Sequence, residues 1–226
     1  AFFDNLTINS YYARSRTPRL GGDSSSYLAQ LSYGADRYGL NLEHLQVGEA
    51  FNPEVGFLRR ATFRRDYAQA RFSPRTHRSR RMRKLYWEAS LDNITDLSVK
   101  LETREAQGSF RIEFNNGDNW TTEYTRNYEL VVVPFTVARI AVIRPGGYSF
   151  QDVRTTYLLA SQRRVSGRLS LVRGSFYDGT RTEAGYNGRI DFGSQFSIEP
   201  RLTVNWLQLP AGEFTSRLAA TRATFT

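Results

Sequence analysis

The stretch Gln195–Gln208, QFSIEPRLTVNWLQ, decides the fold class of this chain. Apolar residues occupy every second position, and polar residues occupy the positions between them. Successive side chains of a β-strand point to opposite faces, so this pattern predicts a strand with one apolar and one polar face. The apolar set is Phe196, Ile198, Pro200, Leu202, Val204 and Trp206, and the polar set is Ser197, Glu199, Arg201, Thr203 and Asn205.

The same alternation recurs along the whole chain, and no long segment has helical spacing. Most of the predicted strands are about twice as long as the ~5–6 residues common in soluble sheets. Strands of that length suit a tilted membrane crossing. The pattern predicts about twelve strands, at residues 4–14, 25–35, 37–47, 61–73, 83–93, 96–115, 118–130, 148–160, 164–176, 181–192, 195–208 and 214–226.

Short and long connections alternate between these strands. The short ones contain Asp36, the pair Asn116-Gly117, Ser161–Arg163 and Gly193-Ser194, and the long ones are 15–24, 48–60 and 131–147. Asn-Gly predicts a two-residue type I′ turn, which needs a positive φ at both positions. Alternation of this kind is typical of an up-and-down outer-membrane barrel. Two connections break the rule, because 74–82 is long for its side and 94–95 is short.

Composition limits the function classes. The chain has 226 residues, a net charge of +9 and no cysteine, which excludes disulfides and thiolate metal sites. No apolar run approaches the roughly 18 residues of a membrane helix. We see no internal boundary and treat residues 1–226 as one β-barrel region. No signal peptide precedes the first strand pattern, so we expect a mature chain or a fragment of a larger barrel.

Seven segments of the chain carry a further signal: Gly39–His44, Phe51–Arg65, Leu101–Gly108, Tyr124–Glu129, Gln162–Gly167, Phe176–Gly179 and Leu209–Phe214. They resemble the barrel region of the DUF5916 proteins, bacterial envelope proteins whose N-terminal domain is similar to family 9 carbohydrate-binding modules. The resemblance implies an outer-membrane location and further barrel segments on both sides of this chain.

Residues that could carry catalysis are few. The two histidines, His44 and His77, lack metal-ligand spacing, so no metal or other cofactor is expected. No Gly-x-Ser-x-Gly elbow is present, and His44 reads as a polar residue of a pore or strand end. Carboxylates on neighbouring strands could hydrolyse a glycoside. Arginines share their faces, however, and cross-strand ion pairs are the simpler interpretation. An enzyme is therefore not the favoured reading.

Two further features have alternative interpretations. The segment Arg75–Lys84 holds six permanent cations and could bind nucleic acid or anionic lipid, but a solvated loop is the simpler interpretation and no nucleic acid is expected. Aromatic residues near strand ends predict interfacial girdles, or else the core of a soluble sandwich. The girdle candidates are Phe2-Phe3, Tyr11-Tyr12, Tyr86-Trp87, Phe176-Tyr177 and Trp206.

The sequence therefore predicts an all-β, antiparallel up-and-down transmembrane barrel, or an open curved barrel wall, in a bacterial outer membrane. Its polar face would bind or pass a glycan or anionic ligand. A membrane-anchored hydrolase of glycans and a soluble β-sandwich binding module are the alternatives. The candidate ligand-binding residues are Arg59, Arg60, Arg64, Arg181, Glu183, Arg189, Asp191, Glu199 and Arg201.

Three structural expectations follow. Tyr186, Ile190, Leu202, Val204 and Trp206 should be accessible rather than buried against a second sheet. The segment Phe51–Arg60 should be ordered and hold Arg59 and Arg60 at the mouth of the lumen. Strand 4–14 should not pair with strand 214–226, which leaves an open wall.

Overall fold

A computed structural model describes residues 4–18, 21–53, 62–76, 79–137, 141–193, 195–210 and 212–225, and these form β-structure throughout. Within those ranges no helix is long and apolar enough to cross a membrane. The strands are β1 (Leu6–Arg14), β2 (Ser25–Gly34), β3 (Tyr38–Val47), β4 (Phe63–Phe72), β5 (Met82–Thr95), β6 (Leu101–Phe114), β7 (Asn119–Val131), β8 (Phe135–Val137), β9 (Ala141–Ile143), β10 (Gly146–Leu159), β11 (Val165–Phe176), β12 (Gly179–Phe192), β13 (Phe196–Leu209) and β14 (Gly212–Phe225).

Twelve of these strands form one antiparallel sheet in chain order, from β1 at one edge to β14 at the other. The remaining two, β8 and β9, form a small separate hairpin in the connection between β7 and β10. The prediction of an up-and-down sheet of about twelve strands is therefore confirmed. The closed-barrel form of that prediction is wrong, because β1 and β14 are both free edges of an open sheet.

The connections define two ends of the sheet. The long-loop end carries 15–24, 48–62, 96–100, 132–145, 177–178 and 210–211, and the short-turn end carries 35–37, 73–81, 115–118, 160–164 and 193–195. The predicted alternation fails at 73–81, which is long for the short-turn end, and at 177–178 and 210–211, which are two-residue connections at the long-loop end.

Two local predictions need correction. The connection at Asn116-Gly117 spans 115–118, and only Gly117 has a positive φ, of 85°, so it is not a two-residue type I′ turn. The reason is Asp118, whose backbone amide donates to Asn116 Oδ1 at 3.0 Å and so closes a local turn. The β8–β9 hairpin was missed, because its three-residue strands are too short for alternation to register.

The register of the sheet is sheared. A continuous row of cross-strand partners starts at Thr7, near the short-turn end of β1, and passes through Gln69, Gln107 and Asp152. The row ends at Phe214, near the long-loop end of β14. Strands therefore tilt steadily across the sheet, which is the stagger that barrel walls require.

The two faces of the sheet differ in chemistry. We call the side that carries Leu42, Leu91 and Leu202 the apolar face, and the side that carries Glu43, Asp92 and Arg201 the polar face. On β3, the apolar-face residues Tyr38, Leu40 and Leu42 are 52%, 39% and 42% exposed, whereas the residues between them are only partly exposed. Strands β4 and β5 repeat this inversion.

No central core comparable to that of a globular protein is seen in the described ranges. The accessible surface is 15409 Å², against about 10,500 Å² for a compact protein of this mass. Buried apolar residues are few and mostly sit at strand ends, such as Val47, Val131 and Leu209. Leu202 and Trp206 are exposed, and Tyr186, Ile190 and Val204 are only partly covered, so none of the five is buried against a second sheet.

Candidate functional site on the polar face

The polar face is rich in charges of both signs. Near the centre of the first half, Arg65 bridges two carboxylates, at 2.7 Å to Glu43 and 2.7 Å to Asp92. A second bond from Arg65 Nε reaches Asp92 Oδ1 at 2.9 Å, which makes a fork-like pair. Both acids and the arginine are therefore satisfied by each other, and Arg65 is fully neutralised.

A recess with more basic than acidic side chains lies on the polar face, near the short-turn end of β12, β13 and β14. Its volume is about 520 Å³. We call it the basic recess and define it by Ser166, Asn187, Arg189, Glu199, Arg201 and Arg222. It contains three of the predicted ligand-binding residues, Arg189, Glu199 and Arg201.

Strand register explains why these side chains converge. Arg201 is directly opposite Asn187 on β12, and Glu199 is directly opposite Arg222 on β14. Arg189 and Arg222 are therefore diagonal neighbours of Arg201 on its two sides, at the ~7–8 Å spacing of such positions. Long side chains can reach each other across that distance.

Ion pairing in the basic recess is incomplete. Arg189 Nε lies 2.7 Å from Asp191 Oδ1, so its charge is matched within its own strand. Among the residues that the structure describes, neither Arg201 nor Arg222 has a carboxylate within 4.0 Å. Sequence reasoning missed Arg222, because alanine and threonine occupy both faces of β14 and blur its alternation.

The other predicted residues do not join the basic recess. Arg181 pairs with Glu183 on the same strand, so the ion pair runs along β12 and not across strands as predicted. That pair lies about 20 Å from Arg189 at the ~3.4 Å rise of a strand. Arg64 lies on the apolar face, where its Nη2 donates to Gln46 at 3.0 Å. Arg59, Arg60 and most of the segment Phe51–Arg60 lie outside the described residues.

The basic segment Arg75–Lys84 is partly anchored. Arg75 and Lys84 lie 3.0 and 2.8 Å from the Asp36 carboxylate, in the turn between β2 and β3. These hydrogen bonds hold the pKa of Asp36 well below its usual range. Arg83 pairs with Glu113 at 3.0 Å. In the described part of this segment the cations that are paired thus serve to fix turns.

Metal and nucleophile chemistry find no support in the described ranges. His44 Nδ1 contacts Asp66 at 2.5 Å, but both belong to the apolar face. No group of three metal-ligating side chains is found in the same ranges. Glu183 and Asp191 are each paired with an arginine, and Asp92, opposite Glu105 in register, is bridged by Arg65.

An aromatic cluster at the long-loop end was also missed. Tyr177 packs against Phe135, Tyr148, Phe150 and Phe176 at ring-centroid distances of 5.7, 5.2, 5.4 and 4.8 Å. Its hydroxyl donates to Glu129 at 2.9 Å. Burial, together with that bond, raises the pKa of Tyr177 to about 12. The pair Phe176-Tyr177 therefore does not belong to a girdle on the apolar face.

Other aromatic residues do follow the girdle pattern on the apolar face. Four successive contacts join Tyr38, Phe72, Trp87, Phe110 and Trp120 across five strands, at 5.4, 5.7, 5.2 and 6.3 Å. Tyr86, beside Trp87, points to the polar face, where Arg111 Cζ lies 3.8 Å from its ring centroid. The pair Phe2-Phe3 lies outside the described residues.

Comparison with known proteins gives no assignment: no protein-family model, no curated protein and no solved structure matches this chain.

Proposed function

We propose that this chain is a wall of a transmembrane β-barrel in a bacterial outer membrane, and that its polar face binds or passes a polar ligand. Membership of the DUF5916 proteins, and completion of the barrel by strands from outside this sheet, are part of the same proposal. The ligand class that suits the polar face is a glycan or an anion.

The observation that carries the proposal is the inverted exposure of the two faces. Leucine and aromatic side chains on β3 and β5, and the alanines of β4, are more exposed than the side chains between them. In water this arrangement is unfavourable, because each square ångström of exposed apolar surface costs about 25 cal/mol. In lipid the same face is solvated by acyl chains, and a fully paired sheet leaves no backbone group unsatisfied in its interior.

The composition of the apolar face agrees with a lipid contact. Its aromatic row from Tyr38 to Trp120 lies towards the short-turn end, where rings at a membrane interface would sit. Towards the long-loop end the same face turns polar, beginning at His44, Asp66, Asn93 and Arg104. A band of apolar residues bounded by aromatic and polar residues is typical of barrel walls.

The three tryptophans provide a direct test. The chain contains three in all, and Trp87, Trp120 and Trp206 are 42%, 39% and 42% exposed on the apolar face. The chain reconstituted in phosphatidylcholine vesicles should lose fluorescence when the acyl chains carry bromine, and aqueous iodide should quench it weakly. Strong iodide quenching without an effect of brominated lipid would contradict the membrane proposal.

The alternatives receive less support. A soluble sandwich needs apolar faces buried between two layers, but the apolar face is exposed or partly exposed in the described ranges. A glycan hydrolase needs two carboxylates free to act; of the candidates Glu183, Asp191 and Glu199, the first two each pair with an arginine, which leaves Glu199 alone. No specific observation favours a second function.

A further inference from the structure

We propose that the basic recess is a binding site for a free anion of the phosphate or carboxylate class. This inference deepens the proposed function, since it names the ligand class and the place on the polar face. It rests on the side of the sheet that faces water, and its test does not need lipid.

The first argument is unmatched charge. Arg189 is matched by Asp191, and Glu199 is a single acid set among Arg201 and Arg222. Arg168 adds a further cation beside the recess, because it is the direct cross-strand partner of Asn187, and it too has no carboxylate within 4.0 Å among the described residues. Three unmatched arginines against one glutamate leave the recess net positive.

The contrast with the rest of the face makes this charge balance informative. Arg65 has two carboxylates, Arg181 has Glu183, and Arg154 has Glu123 at 4.0 Å. Two other arginines of this face have different partners, since Arg71 donates to the Ala35 carbonyl at 2.7 Å and Arg111 stacks on the Tyr86 ring. Grouping arginines without acids costs electrostatic repulsion, and an external anion would remove that cost.

The geometry suits an oxyanion with several acceptor oxygens. Arg189 and Arg222 lie in one cross-strand row on either side of Glu199, and Arg201 in the next row is a diagonal neighbour of both, so two guanidinium groups can face one ligand. Each guanidinium presents a planar fork of donors that matches carboxylate or phosphate oxygens. Asn187, directly opposite Arg201, adds amide donors to the same recess.

Glu199 should weaken anion binding in this site. It lines the recess and faces Arg222 in register without an ion pair in the described residues. As a like charge it repels the ligand, so Glu199→Gln should tighten anion binding. If the recess were only a solvated patch of charged side chains, Glu199→Gln would not increase the affinity for the anion.

The test uses the purified chain folded in a zwitterionic detergent and titrated calorimetrically with inorganic phosphate. Arg201→Gln and Arg222→Gln should each weaken phosphate binding by about tenfold, the cost of losing one hydrogen bond between charged groups. Arg217→Gln is the matched control, because it makes the same charge change on β14 but lies on the apolar face, opposite Val204. It should leave phosphate binding unchanged.

Two further experiments check the role of the guanidinium fork and whether the anion is free or belongs to a lipid headgroup. Arg201→Lys keeps the charge but loses the fork, and it should bind phosphate less tightly than wild type and more tightly than Arg201→Gln. The titration repeated in phosphatidylcholine vesicles with and without phosphatidic acid separates a free anion from a lipid headgroup. Unchanged phosphate binding on addition of phosphatidic acid supports a free anion, and competition assigns the recess to lipid.

Equal phosphate binding by Arg201→Gln, Arg222→Gln and Arg217→Gln would overturn the inference. If the three variants bind phosphate equally but brominated lipid quenches the tryptophans, the anion site is rejected and the membrane wall is retained. Phosphate binding that depends on Arg201, without quenching by brominated lipid, would retain the anion site and reject the membrane wall.

Discussion

Asp118 is a fully buried carboxylate at the short-turn end of the sheet, with 0% exposure. It accepts from Arg163 Nη2 at 2.6 Å, from the Tyr157 hydroxyl at 2.9 Å and from the Ala160 amide at 3.0 Å. It therefore joins the turns 115–118 and 160–164, which are separated in the chain by β7, the β8–β9 hairpin and β10. A single side chain fixes the relative position of two hairpins.

Replacement of Asp118 should destabilise the sheet. Asp118→Ala removes the acceptor of several buried hydrogen bonds and leaves Arg163 without its partner, which costs about 3 kcal/mol. Urea unfolding of the chain in detergent, followed by tryptophan fluorescence, measures the loss. Asp178→Ala is the matched control, because Asp178 is an exposed aspartate in the turn 177–178. Equal unfolding midpoints for the two variants would show that the contacts of Asp118 add nothing.

The same residue predicts a pH dependence. Burial works against ionisation of Asp118, but the bonds from Ala160, Tyr157 and Arg163 outweigh it and lower its pKa. A lowered folded-state pKa means that the stability is present above the unfolded value, about 4 for aspartate, and is lost as pH falls through the folded value. Wild type should lose stability on acidification below about pH 4, and Asp118→Asn should lose less over that interval. Parallel pH curves would contradict this role.

At the scale of the strand, β13 offers the sharpest comparison of the two faces. Leu202 and Thr203 are adjacent, near the middle of the strand, and lie on the apolar and polar faces. An arginine facing lipid near the midplane costs about 2–4 kcal/mol, so Leu202→Arg should lower the stability of the chain in vesicles by that amount. Thr203→Arg, the matched control, should have a much smaller effect because its side chain faces water.

Urea titration of folding into phosphatidylcholine vesicles measures both variants. The comparison is independent of the tryptophan test, since neither substitution changes a fluorophore. If Leu202→Arg proved as stable as Thr203→Arg, the apolar face would not be in contact with lipid.

Strands were largely predictable because one physical signal dominates them. Alternation of period two predicts both that a segment is a strand and which of its residues share a face, and the register of β13 places the predicted apolar set on one face. The same signal brought Arg189, Glu199 and Arg201 to one face. Arg64 was misplaced, because period two does not say which of two adjacent arginines, Arg64 or Arg65, joins the polar face.

Other features depend on contacts that local sequence does not encode. Tyr177 adopts a φ of 49°, which is uncommon for a bulky residue, and its ring is surrounded by residues from β8, β10 and β11. The turn at Asn116-Gly117 is reshaped by the distant Arg163 through Asp118. Register and long-range hydrogen bonds decide such details.

At the scale of the whole molecule, the backbone groups along the two edge strands of the sheet need hydrogen-bond partners. β1 and β14 each present one side without a partner strand, and in lipid each unpaired backbone group costs several kcal/mol. The sheared register and the antiparallel directions of β1 and β14 are compatible with a barrel. Those two strands are nonetheless not joined to each other. We therefore expect strands from outside this sheet to cover both edges.

Cysteine cross-linking tests this arrangement, and the chain has no native cysteine to interfere. Leu202→Cys with Ala219→Cys should oxidise readily, because these residues are direct partners on β13 and β14 and opposed strand residues lie within disulfide range. Ser10→Cys on β1 should form no intramolecular disulfide with a cysteine at Arg217, Ala219 or Thr221 on β14. Non-reducing electrophoresis and peptide mass mapping in vesicles distinguish the products. An intramolecular β1–β14 disulfide formed as readily as the Leu202–Ala219 pair would mean that the sheet closes on itself, and the requirement for outside strands would disappear.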